Sequence, residues 1–378
     1  MSQVSELNIV ESVQVESPDH LAELLRHASE SGTPVLPVGG GTCLSTGHTV
    51  DHEFVALDLS IMSGVVDYIP TDMTAGFLAG TPVQVVRECL AANGQELPID
   101  LAGHDAGSIG GLVATGFSGA RRYSQGTLKD LLIGSEYVRG DGLIAKAGGM
   151  TVKNVSGFEI SRMLHGSWGA LAVLTRVNLK VVPKARVDRS LLWRDETIDH
   201  ALDRQNRLLL QFPNAVALQT VGSPDAWDTA IRFAGREPSV DDYEKRAIER
   251  EGEPTLTDVP PGFWASEPGS PETAQLVLTA SAVKLGAIVS DLLSGGLVST
   301  LSISYGTGTM RARLHQNEVS ELQLGDLDSG LWMIEGGSEA WKQHIPIWGP
   351  KRADHNVMQS IKNQFDPAGI LNRGRLFI

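Results

Sequence analysis

Three tracts of small residues are places where a backbone, rather than a side chain, could do chemistry. Gly39-Gly40-Gly41-Thr42 follows a short apolar run. Without Cβ atoms its main chain can come close to a ligand and turn successive N–H groups onto phosphate oxygens. A second tract, Gly107-Ser108-Ile109-Gly110-Gly111-Leu112-Val113-Ala114-Thr115-Gly116-Phe117-Ser118-Gly119, is too rich in small residues to make a good isolated helix. It makes sense where a flat, rigid body lies against the backbone, and a helix starting at Ser108 would aim N–H donors at an anion. The third tract joins a cation and an amide to close-approach glycines: Lys153-Asn154-Val155-Ser156-Gly157-Phe158, then Gly166-Ser167-Trp168-Gly169. Each alone also reads as a plain turn or a packing segment. Their order and spacing carry the signal.

The elements that must position these tracts can be read from apolar period and punctuation. Ser17-Pro18-Asp19 with Leu21, Leu24, Leu25 and Ala28 predicts a capped helix closed by Gly32. Strands are expected at Pro34–Val38, Phe54–Leu59, Gly64–Ile69 and Ala75–Ala79, and Thr81-Pro82 is expected to cap a helix ending at Gly94. Gly140-Asp141-Gly142 predicts a hairpin between Leu131–Arg139 and Leu143–Ala147. Ala170–Val182 is a long β-type run. From Arg186 the texture changes. An acidic, proline-rich stretch over Glu237–Pro261 reads as long loops between strands such as Ala215–Val221 and Gln275–Ala280, with a helix near Val283–Leu293. A Rossmann unit is rejected, because it needs an amphipathic helix after the first glycines, and Cys43–Glu53 is polar with no apolar period.

With 378 residues, 42% hydrophobic and 20% charged, the chain is an ordinary globular protein of two or three domains. Its net charge of −14 disfavours nucleic acid as a partner. That charge is uneven: residues 121–180 and 341–378 are net basic in an otherwise acidic chain, as if an anion were held where they meet. Two cysteines, Cys43 and Cys89, exclude a disulfide scaffold and an iron–sulfur cluster ligated by this chain alone. No secretory signal and no transmembrane segment is expected, which points to the cytoplasm or to a membrane face reached through partners.

Pro37–Thr42, Gly107–Arg122, Gly126 to Gly134 around Asp130, Lys153–Phe158, Gly166–Leu171 and the tail Phe365-Asp366-Pro367-Ala368-Gly369-Ile370-Leu371-Asn372 together resemble the vanillyl-alcohol-oxidase/p-cresol-methylhydroxylase flavoproteins. Within them, the runs SGARR, KNVSGFEISRML and FDPAGILNRGRL are similar to the FAD-binding subunits of bacterial glycolate oxidases. The resemblance covers residues 1–183 and 345–378. It implies an α+β fold: a two-subdomain PCMH-type FAD-binding domain over 1–183, split near residue 60, an α+β cap over 184–345, and a C-terminal segment, 346–378, that returns to the FAD domain.

The resemblance further implies FAD contacts from Pro37, Val38, Gly39, Gly40, Gly41 and Thr42, from Thr81, and from Gly107, Ser108, Gly110, Gly111, Ala114, Thr115, Gly116, Ser118 and Gly119. Lys153, Asn154, Gly157, Phe158, Gly169 and Asn372 complete the set. Covalent attachment in this family commonly uses a histidine beside the glycine loop; here Cys43 follows Thr42 and His48 is displaced, so FAD is expected to be non-covalent. The chain departs from the related hydroxyacid dehydrogenases at Trp168, Ala170 and Ala172, and at Arg373, where proline is usual. It also lacks their glycine-rich histidine motif; His315, His344 and His355 stand in unrelated contexts, and no metal is expected.

Arg121, Arg122 and Arg352 are candidates for holding a substrate carboxylate, since a guanidinium offers two parallel hydrogen bonds. No residue is singled out as catalytic base. The expected function is that of an FAD-binding subunit of a glycolate oxidase-like complex, acting on a small 2-hydroxy acid beside a partner flavoprotein and an iron–sulfur subunit. A self-sufficient FAD-dependent oxidase or dehydrogenase, and a structural subunit that binds flavin weakly, are the alternatives.

Overall fold

The computed structural model describes residues 7–101, 103, 106–150, 159–265, 267–315 and 330–378. The first helix, Pro18–Ser31, is built as its sequence dictates. The Ser17 hydroxyl accepts the His20 N–H, Pro18 opens the first turn, and Gly32 closes the last at φ 70°. Its buried face, Leu21, Ala22, Leu25 and Ala28, shares a core with Val35, Leu57 and Ile370. The sheet alongside is parallel, in the order Ile9–Gln14, Phe54–Asp58, Val35–Val38.

A second, antiparallel sheet runs Val65–Ile69, Thr74–Leu78, Ala172–Lys180, Leu132–Arg139, Ile144–Gly148. The helices Val83–Ala91 and Ile109–Thr115 bury Val86, Leu90, Ile109 and Leu112 in one core with Phe77 and Val177 of this sheet. Ile109–Thr115 is anchored by the Gly110 N–H, which donates to the Ala79 carbonyl at 2.8 Å. A Cβ on Gly110 would stand 2.6 Å from the Ala79 Cβ, so only glycine lets the helix lie this close to the chain beneath it. Thr81 does not cap the Val83–Ala91 helix as expected. Its hydroxyl donates to the Leu78 carbonyl at 2.7 Å and accepts the Gly64 N–H at 2.9 Å, tying two turns together.

The largest sheet has eight antiparallel strands: Leu256–Thr257, Val187–Asp195, Ala226–Gly235, Ala217–Ser223, Val298–Ser304, Thr309–Leu314, Gln275–Thr279, Leu331–Glu335. Helix Ile198–Gln211 packs on strands of its first half, and Ala282–Ser294 shares a core with Leu276, Leu301 and Ile334 of its second. The reading of Glu237–Pro261 as loop is corrected, since Glu237–Glu251 is a helix. It buries only Val240 and Ala247 fully, too few to show a period. It is held from outside by Arg189, which pairs with Asp241 at 2.7 Å and Glu244 at 2.9 Å, and by Phe233, on which its own Tyr243 stacks.

After helix His355–Phe365 the tail returns to the first sheet. The Ile370 carbonyl accepts the Val35 N–H at 2.9 Å, and the Asn372 N–H donates to the Val35 carbonyl at 3.0 Å. Arg373 spreads its guanidinium over the carbonyls of Gly32, Ala368 and Gly369. It thus satisfies acceptors beyond the first helix and within its own turn, which proline could not do.

Candidate cofactor and substrate site

Strand Val35–Val38 delivers Gly39–Thr42 face to face with the start of the second glycine tract. A Cβ on Gly39 would stand 2.0 Å from the Ser108 Oγ; on Gly40 it would stand 2.2 Å from the Ala106 carbonyl oxygen and 2.5 Å from the Gly107 Cα. These two glycines therefore let one loop pack on the other. Gly41 differs: φ is 71°, and a Cβ would meet only the Leu44 side chain, at 3.6 Å. Beside the loop contact lies a crevice whose empty space, open mouth included, is about 1030 Å³.

Among the described residues, the amides of Gly40, Gly41, Thr42, Cys43, Leu44 and Ser45 donate to no protein acceptor. The chain turns back only at Thr46, whose N–H donates to the Cys43 carbonyl at 3.2 Å. Gly40 to Leu44 line the crevice, and a row of amides without acceptors at a cavity wall is an anion cradle. Another wall is Gly107, Ser108, Gly110, Gly111, Leu112, Ala114 and Thr115, most of them small enough to leave room for a flat body. Trp168 and Trp348 close one end, edge to face at 5.5 Å. Trp168 takes φ 53°; its N–H donates to the Ala114 carbonyl at 2.8 Å, and its carbonyl accepts the Asn372 Nδ2 at 2.9 Å. Amide donors for a diphosphate beside apolar, planar walls for a ring fit FAD.

Of the residues expected to contact FAD, Pro37 to Thr42, Gly107, Ser108, Gly110, Gly111, Ala114, Thr115, Gly169 and Asn372 line this crevice. Thr81 and Gly116 do not. Thr81 is buried behind it, and Gly116 abuts His165 and Gly166. Lys153, Asn154, Gly157 and Phe158 lie outside the described residues. Cys43 and Trp168, already noted in the sequence for other reasons, line the crevice too, as do Leu44, Thr46, Trp348 and Arg375, which had not been singled out as contacts.

Ser118 and Gly119 face a second cavity of about 540 Å³, roofed by the eight-stranded sheet. Along the chain only Gly116 and Phe117 separate it from the first. Its lining includes Arg122 and the hydroxyls of Ser302, Ser304, Thr307 and Thr309. The Arg122 guanidinium makes no hydrogen bond or ion pair with a described residue, and burial pulls its pKa down against the opposing pull of Asp130. The other two arginine candidates have partners already. Arg121 binds Asp100 through its N–H and Nε and reaches Glu96 at 3.0 Å, while Arg232 holds Asp100 from the large sheet at 3.1 Å. Arg352 is exposed and paired with Asp354 at 2.7 Å. Behind Gly116, His165 is held neutral, its pKa lowered to about 4 chiefly by burial and then by Lys129.

The two basic segments do not simply converge. Arg139, Arg162 and Arg176 pair with Asp141, Glu159 and Asp67, so much of that charge is matched locally.

Cys43 is half-buried at the crevice wall, but the packing around its thiol and then the nearby Glu335 carboxylate push that thiol up to about 12. A thiol so rarely ionised is a poor nucleophile, in keeping with flavin that is not tethered there. In native protein at pH 8, Cys43 is expected to stay unlabelled by a maleimide over an hour and to label within minutes after denaturation. Peptide mapping by mass spectrometry reads this, and rapid native labelling at Cys43 would contradict the burial argument.

Residues 12–148 match the family described as FAD binding domain. Over 94% of this chain and 96% of the relative, the sequence is 26% identical to glycolate oxidase subunit GlcE of Escherichia coli. A D-lactate dehydrogenase of Archaeoglobus fulgidus is 31% identical, over 46% of this chain and 39% of its own length. Among solved structures, 4-ethylphenol oxidase from Gulosibacter chungangensis superposes with a TM-score of 0.73 at 14% identity, covering 96% of this chain and 88% of that one. Residues 12–148 of this chain are thus an FAD binding domain, and the chain is an FAD-dependent oxidoreductase with the fold of the vanillyl-alcohol-oxidase/p-cresol-methylhydroxylase flavoproteins.

Proposed function

We propose that the chain is the FAD-binding subunit of a glycolate oxidase-like complex. It oxidises a small 2-hydroxy acid such as glycolate or lactate and passes electrons to partners, a second flavoprotein and an iron–sulfur subunit. The observation that carries this reading is the extent of the match to the E. coli subunit, which includes the eight-stranded sheet, whereas the match to the lactate dehydrogenase stops at under half the chain. With Cys43 and Cys89 as its only cysteines, the chain needs a partner for any iron–sulfur relay.

Bound FAD supplies a two-electron acceptor for the hydride of the hydroxyl-bearing carbon. The chain's part is to hold and orient. The amides of Gly40 to Leu44 take the diphosphate, and the small residues of the second tract let the ring lie flat. Arg122 takes the substrate carboxylate in the second cavity, where serine and threonine hydroxyls offer further hydrogen bonds.

The lone chain, purified, is expected to be yellow and to release its flavin in acid. Glycolate or lactate is expected to bleach it anaerobically only once partner subunits are added. Bleaching of the lone chain would instead identify a self-sufficient oxidase or dehydrogenase. A colourless chain that never takes up FAD would leave a structural subunit. In the assembled complex, Arg122→Met is expected to raise the glycolate concentration for half-maximal bleaching ~10–100-fold, the worth of a hydrogen-bonded charge, with flavin content unchanged. Unaltered substrate dependence would remove Arg122 from the site.

A further inference from the structure

The tail brings a charge into the cofactor crevice that its surroundings leave unbalanced. Asn372 at φ 50° and Gly374 at φ 72° turn the chain so that Arg375 enters beneath the segment from Cys43 to Gly47. Its Nη2 donates to the carbonyls of Leu44 and Thr46, and its own carbonyl accepts the His48 N–H and the Trp348 Nε1, both at 2.9 Å. Only 4% of the residue is exposed, yet it makes no ion pair among the described residues, and its Nε has no acceptor. The nearest acid to be felt is Glu339, which is already bonded to the buried Lys342. Lys342 in turn donates to the Ser45 carbonyl at 2.8 Å. Arg375, without an ion pair among the described residues, thus underlies the same short segment that carries the amides with no acceptor among them.

A guanidinium in this setting is costly unless an anion is near, and burial lowers its pKa to about 10. The crevice that Arg375 lines is where that anion belongs. We propose that Arg375 is a cofactor-binding residue whose charge balances the FAD diphosphate, so that the C-terminal tail is latched by the cofactor it encloses. The inference rests on the FAD reading of the crevice. It goes beyond that reading by giving the last residues of the chain a role in holding the ligand as well as in holding the fold.

The diphosphate is what separates FAD from riboflavin, so the two ligands together isolate the role. Apoprotein is titrated with each by flavin fluorescence, at low and moderate salt, and its thermal midpoint is followed alongside. Arg375→Gln is expected to weaken FAD at least thirtyfold and riboflavin less than threefold. Arg375→Lys, which keeps the charge and loses the fork, is expected to fall between, with FAD binding more sensitive to salt than in the wild type. Inorganic pyrophosphate is expected to raise the midpoint of wild-type apoprotein and to leave that of Arg375→Gln unmoved. Equal weakening of both flavins, in step with a lower midpoint, would overturn the proposal and make Arg375 a prop for the Cys43–Gly47 segment. Unchanged FAD affinity would overturn it too. A wild-type chain that takes up neither flavin would instead overturn the FAD reading of the crevice.

Discussion

Apoprotein carrying Gly40→Ala is expected to take up no FAD at concentrations that saturate the wild-type chain. The added methyl meets the Ala106 carbonyl oxygen at 2.2 Å and the Gly107 Cα and carbonyl carbon at 2.5 and 2.9 Å, all backbone atoms that no rotamer change can move. Overpacking a tight contact costs about 1–3 kcal/mol and sometimes more, and here it forces apart the two tracts whose separation defines the crevice. We expect FAD affinity to fall at least ~100-fold, equivalent to nearly 3 kcal/mol, with a lower thermal midpoint. Gly39→Ala provides the internal comparison. Its methyl meets the Ser108 Oγ at 2.0 Å and Cβ at 2.9 Å, a side chain that can be removed. Ser108 also caps the Ile109–Thr115 helix by accepting the Gly111 N–H at 3.1 Å, but replacing a cap by glycine costs only a few tenths of a kcal/mol. The double variant Gly39→Ala/Ser108→Gly should therefore recover most of the FAD binding that Gly39→Ala loses. Flavin fluorescence and thermal unfolding decide the matter; a Gly40→Ala chain within threefold of wild-type affinity would mean that the loops are free to separate.

This contact also marks what could be read in the sequence and what could not. The density of glycine announced close backbone approach, but what most of the first tract approaches is the other tract. Only at Gly41 would a Cβ find room, and the amides from Gly40 to Ser45 have no acceptor among the described residues. Local punctuation was legible: Ser17, Pro18 and Gly32 bound the first helix, and Gly140-Asp141-Gly142 the hairpin. Stabilisation from outside the segment was not. Glu237–Glu251 has few buried apolar positions and is held by Arg189 from a strand almost fifty residues earlier in the chain. The arginines make the same point for the site. Arg121, Arg122 and Arg352 look alike as letters, but two are paired with carboxylates in distant or neighbouring segments, whereas Arg122 makes no ion pair among the described residues. Arg375 escaped notice because nothing local distinguishes it. Its burial comes from the turn at Asn372 and Gly374 and from contacts with residues over three hundred positions away.

The motif residue Asp366 is where stability and cofactor retention should prove to be the same property. It is 1% exposed; its Oδ2 accepts Lys362 Nζ at 2.6 Å and the Leu371 N–H at 2.8 Å, and its Oδ1 accepts the Ile370 N–H at 3.1 Å. Lys362 adds bonds to the carbonyls of Ala170 and Leu371, so one buried pair fastens the tail both to itself and to the chain before strand Ala172–Lys180. Asp366→Ala leaves a buried ammonium without its counter-charge and two amides without acceptors. Breaking such a pair from one side costs about 3–5 kcal/mol, and urea unfolding should register a loss of that size. FAD should be lost with it, since Asn372 and Arg375 are placed by the turn that Asp366 holds. If desolvated charge is the cause, removing the ammonium as well should help, because replacing both members of a buried pair by apolar groups is often neutral. Asp366→Leu/Lys362→Met is therefore expected to unfold at higher urea than Asp366→Ala, although its free amides still hold it below the wild type. A double variant no more stable than the single one would place the energy in the two amide bonds, and an Asp366→Ala chain within 1 kcal/mol of wild type would show that the tail is fastened elsewhere.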